Sequence, residues 1–218
     1  MYKGIIFDLD GTMIDNMWIH YQAWQQKLAE LGLELSIEEV KEKAYGVNED
    51  ILERLFGKRF LPPQISQISA EKEAAYRELI LPQLQLIRGL SEFLEKLKAA
   101  QIPMAVGTAA PPENVDFVMT HLNLRAYFKG VFHSKSITKG KPDPEIFEKA
   151  ADSMGLSVSD CLIFEDSLTG AEAAKRAGAS AVIITTTHAR EEFEHFDHII
   201  RFIEDYEGLE LDFLMHGC

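Results

Sequence analysis

Acidic and hydroxyl side chains stand at the ends of three apolar segments of this sequence. Asp8 and Asp10 follow GIIF, Thr108 follows PMAVG, and Glu165 and Asp166 follow CLIF. Carboxylates that crowd together repel one another, and a hard divalent cation relieves that repulsion. Mg²⁺ prefers a few protein oxygens with room for water and phosphate, so the pattern predicts a Mg²⁺ site.

A lysine and a flexible turn complete this set of groups. Lys141 lies in TKGKPDP, directly before a predicted helix, and Gly11 frees the backbone to bend after Asp10. Phosphoryl transfer depends mostly on positioning and charge neutralisation, which a metal ion, a lysine, a hydroxyl and backbone N–H groups can supply. One carboxylate of Asp-x-Asp-Gly-Thr can attack phosphorus, and the other can exchange a proton with the leaving oxygen and then with water. The spacing therefore predicts phosphoryl transfer.

The elements that must position these residues alternate between strand and helix. Short apolar runs rich in β-branched residues predict buried strands at GIIF, PMAVGT, GVFHS, DCLIFED and SAVIITT, while HIIRFIEDY fits either a strand or the start of a helix. Amphipathic segments between them predict helices, one of which Gly178 closes. This order predicts an α/β fold with a doubly wound, parallel, Rossmann-like sheet, whose carboxyl edge would gather the polar residues.

Residues 15–85 differ from the rest of the chain, because helical periodicity dominates there and no strand-like alternation occurs. Ser36 and Ser69, each followed three residues later by a charged residue, are predicted helix starts. We therefore expect an all-helical cap domain at 15–85, inserted into an α/β core domain formed by 1–14 and 86–218.

The composition restricts the partners of the protein. The 218 residues are 46% hydrophobic, and 35 acidic against 22 basic residues give a formal net charge of −13. Such a surface repels phosphate backbones and anionic membranes, so we expect a small-molecule ligand and neither nucleic acid nor membrane. Cys161 and Cys218 cannot form a disulfide framework, and no signal peptide or membrane span is recognisable. The expectation is a monomer in the cytoplasm.

Four segments resemble the sequence motifs of the haloacid dehalogenase (HAD) superfamily. FDLDGTMID is similar to its first motif, VGT to its second, KGKPDP to its third and IFEDSLTG to its fourth, in the family's order. The helical insertion looks like the family's small cap. The resemblance implies phosphoryl chemistry, because dehalogenase members lack the second acid of the first motif, which is Asp10 here.

The resemblance also implies roles for individual residues. Asp8 is expected to be the nucleophile and a metal ligand. Asp10 is expected to be the acid/base, with its backbone carbonyl facing the metal. Thr108 and Lys141 would bind the transferring phosphoryl group. The other expected site residues are the metal ligand Asp166, Glu165 beside it in the metal site, and the substrate-binding Gly11, Thr12 and Ala109.

The cap resembles that of β-phosphoglucomutase and related sugar phosphatases. NMWIHYQAWQQKLAELG is similar to their first cap helix, where His20 would engage Asp10 or the substrate. AYGVNED resembles their substrate loop, which makes Gly46 an expected substrate-binding residue. Lys72 in EKEAAY matches a cap lysine that reaches the sugar side of the site.

Two departures from the mutase pattern favour a phosphatase. The resemblance implies that the mutase holds a second phosphate with a cap arginine after GVS and with Ser-Lys just past the second motif. This sequence has Asn48-Glu49 and Ala110-Pro111 at those places. Neither pair supplies the charge-assisted donors that a phosphate needs, and proline has no N–H. We therefore expect a Mg²⁺-dependent phosphatase of a small phosphomonoester, with a phosphomutase as the alternative.

A receiver-like domain that stores its aspartyl-phosphate as a signal is a further alternative, since such domains also cluster acids, a threonine and a lysine. The inserted helices and the availability of Asp10 for hydrolysis oppose it. His188, His195 and His198 fit no metal-binding spacing, and we expect no metal site there.

Overall fold

The structure is a computed structural model that describes residues 1–212. Its chain forms two compact units, one made of residues 1–15 together with those from 85 onward, and the other of residues 16–84. Cys218 lies outside the described residues, whereas Cys161 is a buried free thiol. Within residues 1–212, no helix is both long and apolar enough to span a bilayer.

The strands of the first unit, apart from the last two, are separated by helices, as the sequence pattern predicts. The helices run α1 Met17–Glu30, α2 Ile37–Lys43, α3 Asn48–Phe56, α4 Pro62–Ile80, α5 Leu90–Ala99, α6 Pro112–His121, α7 Glu145–Ser153 and α8 Leu168–Ala177. The strands run β1 Gly4–Phe7, β2 Met104–Gly107, β3 Gly130–Phe132, β4 Cys161–Glu165, β5 Ser180–Ile184 and β6 Ile199–Ile203. The segment HIIRFIEDY, for which two interpretations were open, thus supplies the strand β6.

The strands of the first unit form one parallel sheet with the order β3-β2-β1-β4-β5-β6. The sheet grows in one direction from β1 to β3 and in the opposite direction from β4 to β6. The gap between the carboxyl ends of β1 and β4 is therefore the switch point at which doubly wound sheets bind ligands. The predicted α/β fold with a doubly wound parallel sheet is confirmed.

The apolar runs form strands because helices cover them. Every residue of β1, β2 and β4 is buried. Ile6, Ile163 and Phe147 belong to one core cluster, and each such side chain contributes about 1.5–3 kcal/mol through burial. α8 begins after Ser167, whose hydroxyl accepts the Gly170 N–H, and ends at Gly178 in the left-handed region with φ 73°. Buried strands and a capped helix thus support the carboxyl edge of the sheet, which carries the polar residues.

The second unit contains α1 to α4, which pack around a core that includes Trp24 and Leu28. Ser36 starts α2 with a reciprocal capping box to Glu39, as predicted. The predicted helix start at Ser69 is wrong, because α4 already begins at Pro62. Two consecutive prolines occupy its first positions, where a missing N–H leaves no hydrogen bond unmade.

Candidate active site

The two central strands bring the predicted acids to one edge of the sheet. Phe7 pairs with Phe164, and the Asp8 N–H continues the ladder by donating to the Phe164 carbonyl at 2.9 Å. Glu165 and Asp166 follow at the end of β4. One carboxylate oxygen from each of these three acids lies within 4.8 Å of the others, and all three residues are buried.

Lys141 reaches the same cluster from the loop before α7. Its Nζ donates to Asp8 Oδ1 at 2.5 Å and to Glu165 Oε1 at 2.6 Å. The loop is closed by Glu145, whose Oε2 accepts the N–H groups of Thr138 and Lys139 and the Thr138 hydroxyl. The lysine side chain is buried and 4.7 Å from the Phe147 ring centroid, so the ammonium is fixed rather than free to sample solvent.

The cluster contains three acids and one ammonium. Burial raises the pKa of Asp8 to about 7, although the Lys141 ammonium opposes the shift. Burial, helped by Glu165 and Asp8, raises the pKa of Asp166 well above its usual range. Burial disfavours the charged form of Lys141, but the two carboxylates outweigh it and raise the lysine pKa. Full ionisation would place three carboxylates beside one ammonium, and a further cation would favour that ionised state.

The donor set fits a hard divalent cation. Its three acids offer only oxygen, the donor that Mg²⁺ prefers, and one oxygen from each lies within 4.8 Å of the other two. Asp8 and Asp166 are the acids best able to bind it, because Glu165 is already engaged. Glu165 Oε2 accepts the N–H groups of Asp166 and Ser167 and the Ser167 hydroxyl, while Oε1 accepts Lys141. We therefore expect Glu165 to orient Lys141 instead of binding metal.

A glycine makes room for Glu165. A Cβ on Gly170 would lie 1.8 Å from Glu165 Oε1, which no side-chain rearrangement at a buried carboxylate could accommodate cheaply. Gly170 belongs to the first turn of α8. The fourth motif thus pairs an acid at the end of a strand with a glycine that faces it.

The turn after Asp8 is fixed by hydrogen bonds from elsewhere in the unit. Gly11 has φ 76°, and its carbonyl accepts the Thr186 hydroxyl at 2.5 Å. The Thr12 carbonyl accepts the buried Tyr206 hydroxyl at 3.0 Å, and the Thr12 hydroxyl donates to Asp166 Oδ1 at 3.3 Å. Asp10 is half-buried and forms an isolated bridge with Ile14 at this turn. The turn is therefore preorganised.

The second motif lies at the end of β2. Thr108 is 1% exposed, and its N–H continues the ladder to the Phe132 carbonyl at 3.0 Å. The Thr108 hydroxyl accepts the Ala110 N–H at 3.1 Å, so that N–H is committed within the loop. Ala109 is exposed, and Pro111 precedes α6.

The helical unit contains three of the predicted substrate-binding residues, of which it brings two together. Lys72 Nζ lies 2.8 Å from His20 Nδ1, and the His20 ring stacks on Tyr76 with a centroid distance of 3.8 Å. Gly46, with φ 88°, is exposed in the loop before α3 and would have open space around a Cβ.

A buried glutamate neutralises this lysine. Glu73 Oε1 accepts Lys72 Nζ at 2.9 Å and Asn48 Nδ2 at 2.9 Å. Burial raises the pKa of Glu73, but Lys72, His20 and the Asn48 amide outweigh burial and hold it at about 2. The Lys72 charge is thus balanced locally.

Comparison with known proteins agrees with this geometry. A profile of the haloacid dehalogenase-like hydrolase family matches residues 2–178. The chain belongs to this family. It is 30% identical over 187 residues to the fructose-1-phosphate phosphatase YqaB of Escherichia coli, covering 83% of this chain and 95% of that protein. The crystal structure of an HAD hydrolase of family IA, variant 3, from Entamoeba histolytica superposes with a TM-score of 0.89 at 26% identity, covering 97% of each chain.

The HAD resemblance stated from the four motifs is thereby confirmed, as is the prediction of an HAD-type phosphatase. The chain is also 30% identical over 188 residues to the β-phosphoglucomutase of Bacillus subtilis, with 83% of this chain and 82% of that protein covered. Overall similarity therefore leaves hydrolysis and mutase chemistry both represented among the relatives of this HAD protein.

Sequence reasoning missed three hydroxyls that hold the site. Thr186, Thr187 and Tyr206 hydrogen-bond to Gly11, Asp166 and Thr12 respectively. A signal for the first two exists, since Thr186 ends the predicted strand SAVIITT and Thr187 follows it, at the sheet edge that carries the acids. Tyr206 lies beyond β6, where no sequence pattern indicates which carbonyl its hydroxyl reaches.

Proposed function

We propose that this protein is a Mg²⁺-dependent phosphatase that hydrolyses a small phosphomonoester through an aspartyl-phosphate on Asp8. The proposed substrate class is the sugar phosphates. The observation that carries the proposal is the buried cluster at the switch point of the sheet. There Lys141 Nζ lies 2.5 Å from Asp8 Oδ1, and Asp8, Glu165 and Asp166 converge within 4.8 Å. Such a cluster supplies a nucleophile, an ammonium and a cation site together.

The reaction proceeds in two steps on this chain's residues. An Asp8 carboxylate oxygen attacks phosphorus, the bond from phosphorus to the ester oxygen breaks, and Asp10 donates its proton to the departing alcohol. Asp10 then takes a proton from water, whose oxygen attacks the phosphorus and releases inorganic phosphate and the Asp8 carboxylate. Lys141 and the Thr108 hydroxyl hold the phosphoryl oxygens in both steps.

Asp8, Asp166 and the Asp10 carbonyl would hold the Mg²⁺, which when bound offsets negative charge on the carboxylates and the phosphoryl group. Without it, the pKa of Asp8, which burial raises to about 7, leaves much of the nucleophile protonated near neutral pH. Metal binding would favour the ionised, nucleophilic form.

Hydrogen bonds in both units support a monophosphate substrate. The Ala110 N–H is committed to Thr108, and Pro111 has none. In the helical unit, Asn48 is bound to Glu73, which also balances Lys72. These positions therefore offer no uncommitted charge for a second phosphate. We propose that His20, Gly46 and Lys72 contact the hydroxyls of the sugar, as their counterparts in the resemblance do.

A panel of phosphate esters, assayed for phosphate release with and without Mg²⁺, tests the proposal. We expect Mg²⁺-dependent release from small sugar phosphates. Asp8→Asn should lower turnover at least ~10³-fold, because the covalent step disappears. Asp10→Asn should still bind phosphate but turn over slowly.

Two results would contradict hydrolysis as the function. Efficient conversion of β-glucose 1-phosphate to glucose 6-phosphate with a trace of bisphosphate would identify a mutase. A phosphoenzyme that persists for minutes would identify a signalling switch. The proposal extends to a monomer in the cytoplasm, which the elution volume in gel filtration and cell fractionation would test.

A further inference from the structure

Two threonine hydroxyls hold the Asp166 carboxylate. Thr12 Oγ1 donates to Oδ1 at 3.3 Å, and Thr187 Oγ1 donates to Oδ2. Asp166 is 3% exposed, so its carboxylate accepts hydrogen bonds from these hydroxyls instead of from bulk water. Thr12 lies in the first motif of the family, whereas Thr187 lies in none of the four motifs.

The pairing of β4 with β5 positions Thr187 beside Asp166. Glu165 in β4 is paired with Ile183 in β5, so the residues after β5 arrive at the edge that carries Asp166. The Thr185 N–H donates to the Ile203 carbonyl at 2.9 Å and thereby extends the ladder beyond β5. The Thr186 hydroxyl donates to the Gly11 carbonyl, and the hydroxyl of the next residue, Thr187, donates to Asp166.

The turn of the first motif leaves space for this contact. A Cβ on Gly11 would lie 2.1 Å from Asp166 Oδ2 and 2.9 Å from Thr187 Oγ1. The carboxylate oxygen and the hydroxyl therefore occupy the volume that any other residue at position 11 would fill. Three separate segments, from the first motif, from the fourth motif and from the end of β5, meet at this point.

We propose that Thr187 is a positioning residue for the metal ion, because its hydroxyl holds the Asp166 carboxylate in the orientation in which it binds the divalent cation. The inference rests on the proposed metal-dependent phosphatase. Groups that hydrogen-bond to a metal ligand fix its direction, and their loss commonly weakens metal binding about 10- to 100-fold.

A hydroxyl suits this task better than a charged donor would. A lysine or arginine on Asp166 would cancel the negative charge that attracts the cation, whereas a hydroxyl orients the carboxylate and leaves that charge in place. Each carboxylate oxygen has two lone pairs, so Oδ1 and Oδ2 can each accept a hydroxyl and still face a metal ion. Lys141, which does carry charge, bonds to Asp8 and Glu165.

Binding of Mn²⁺, measured from the electron paramagnetic resonance signal of the free ion, tests the role without reference to activity. Thr187→Val removes the hydroxyl at nearly constant volume, and Thr187→Ser keeps it. Thr185→Val is the matched control, because the Thr185 hydroxyl donates to the Ile203 carbonyl and, within residues 1–212, to none of the site's acids. We expect the Kd for Mn²⁺ to rise about 10- to 100-fold in Thr187→Val and to stay within about threefold in the other two variants.

The outcomes separate this inference from the proposed function. A parent protein that binds Mn²⁺, together with a folded Thr187→Val variant of unchanged Kd, overturns the role of Thr187 and leaves the phosphatase standing. A parent protein that binds no Mn²⁺ overturns both. Thr187→Ala removes the same hydroxyl and carries the same expectation, so the test does not depend on the folding of one variant.

Discussion

Replacing the proposed nucleophile should stabilise the metal-free protein while abolishing its activity. Asp8 is buried beside two further carboxylates, and its ionised form is costly there even though Lys141 bonds to it. Asparagine has nearly the same shape and stays neutral at every pH. Asp8→Asn therefore removes the unfavourable charge and keeps the packing.

The size of the effect follows from the pKa of Asp8, which burial raises from 3.8 to about 7. The folded state thus holds the proton more tightly than the unfolded state, so the free energy of unfolding falls as the pH rises from about 4 to about 7. Ionisation of Asp8 lowers the free energy of unfolding by about 4 kcal/mol at about pH 8 and by less than about 2 kcal/mol at about pH 5. The variant escapes this loss, which corresponds to a gain in Tm of roughly 8–16 °C at the higher pH.

Chemical denaturation in EDTA at about pH 5 and about pH 8 measures the difference. Saturating Mg²⁺ in place of EDTA should reduce the difference in unfolding free energy between variant and parent, because the cation stabilises the ionised parent more than the variant. Asp152→Asn serves as the control, since it removes an exposed acid on α7 whose charge is already solvated. If Asp8→Asn is less stable than the parent at about pH 8 in EDTA, pairing with Lys141 outweighs burial and the reasoning is refuted.

Three further variants test other parts of the structure. Gly170→Ala should displace Glu165 and lower the free energy of unfolding by about 1–3 kcal/mol, with a loss of phosphatase activity. Lys141→Met keeps the apolar stem but removes the ammonium, and should lower kcat about 10²- to 10³-fold even at saturating Mg²⁺. Glu73→Gln should lower the free energy of unfolding by up to about 3 kcal/mol near neutral pH, because the pKa of Glu73 lies at about 2 instead of 4.5. That effect should vanish as the pH falls from about 4.5 to about 2.

Each of these expectations has a contradicting result. Gly140→Ala is the control for Gly170→Ala, since a Cβ on Gly140 meets open space, and equal effects of the two would mean that the contact with Glu165 is unimportant. A Lys141→Met enzyme with parental kcat would remove Lys141 from phosphoryl binding. A Glu73→Gln deficit that is constant across the acid range would show that lost packing, rather than lost charge, causes it.

The strands and the acids that follow them are predictable from the sequence because both depend on local patterns. A buried strand is a continuous apolar run, and parallel pairing places the carboxyl end of every strand at one edge of the sheet. The proximity of Asp8 and Asp166 can therefore be predicted without knowing any side-chain contact. Lys141 was predicted at the same edge from its loop before a helix, but a loop sequence does not state which carboxylates the ammonium will reach.

The remaining features depend on contacts between segments that are distant in sequence. The start of α4 was mistaken because a serine followed by charges resembles a cap, whereas Pro62 begins the helix seven residues earlier. The hydroxyls of Thr187 and Tyr206 find their acceptors only after β5 and β6 are in place. The pairing of Glu73 with Asn48 joins two helices, and helical periodicity alone does not specify it.

The position of β1 in the sheet has a consequence for biosynthesis. Its residues pair with β2 on one side and with β4 on the other, so that Gly4 lies opposite Cys161. The contiguous helices of residues 16–84 can form from nearby contacts while translation continues, but the strand before the proposed nucleophile must wait for β4, which is synthesised much later. Under the proposed mechanism, a nascent chain that stops before Asp166 lacks both the central partner strand of β1 and a metal-binding acid, so we expect it to be inactive.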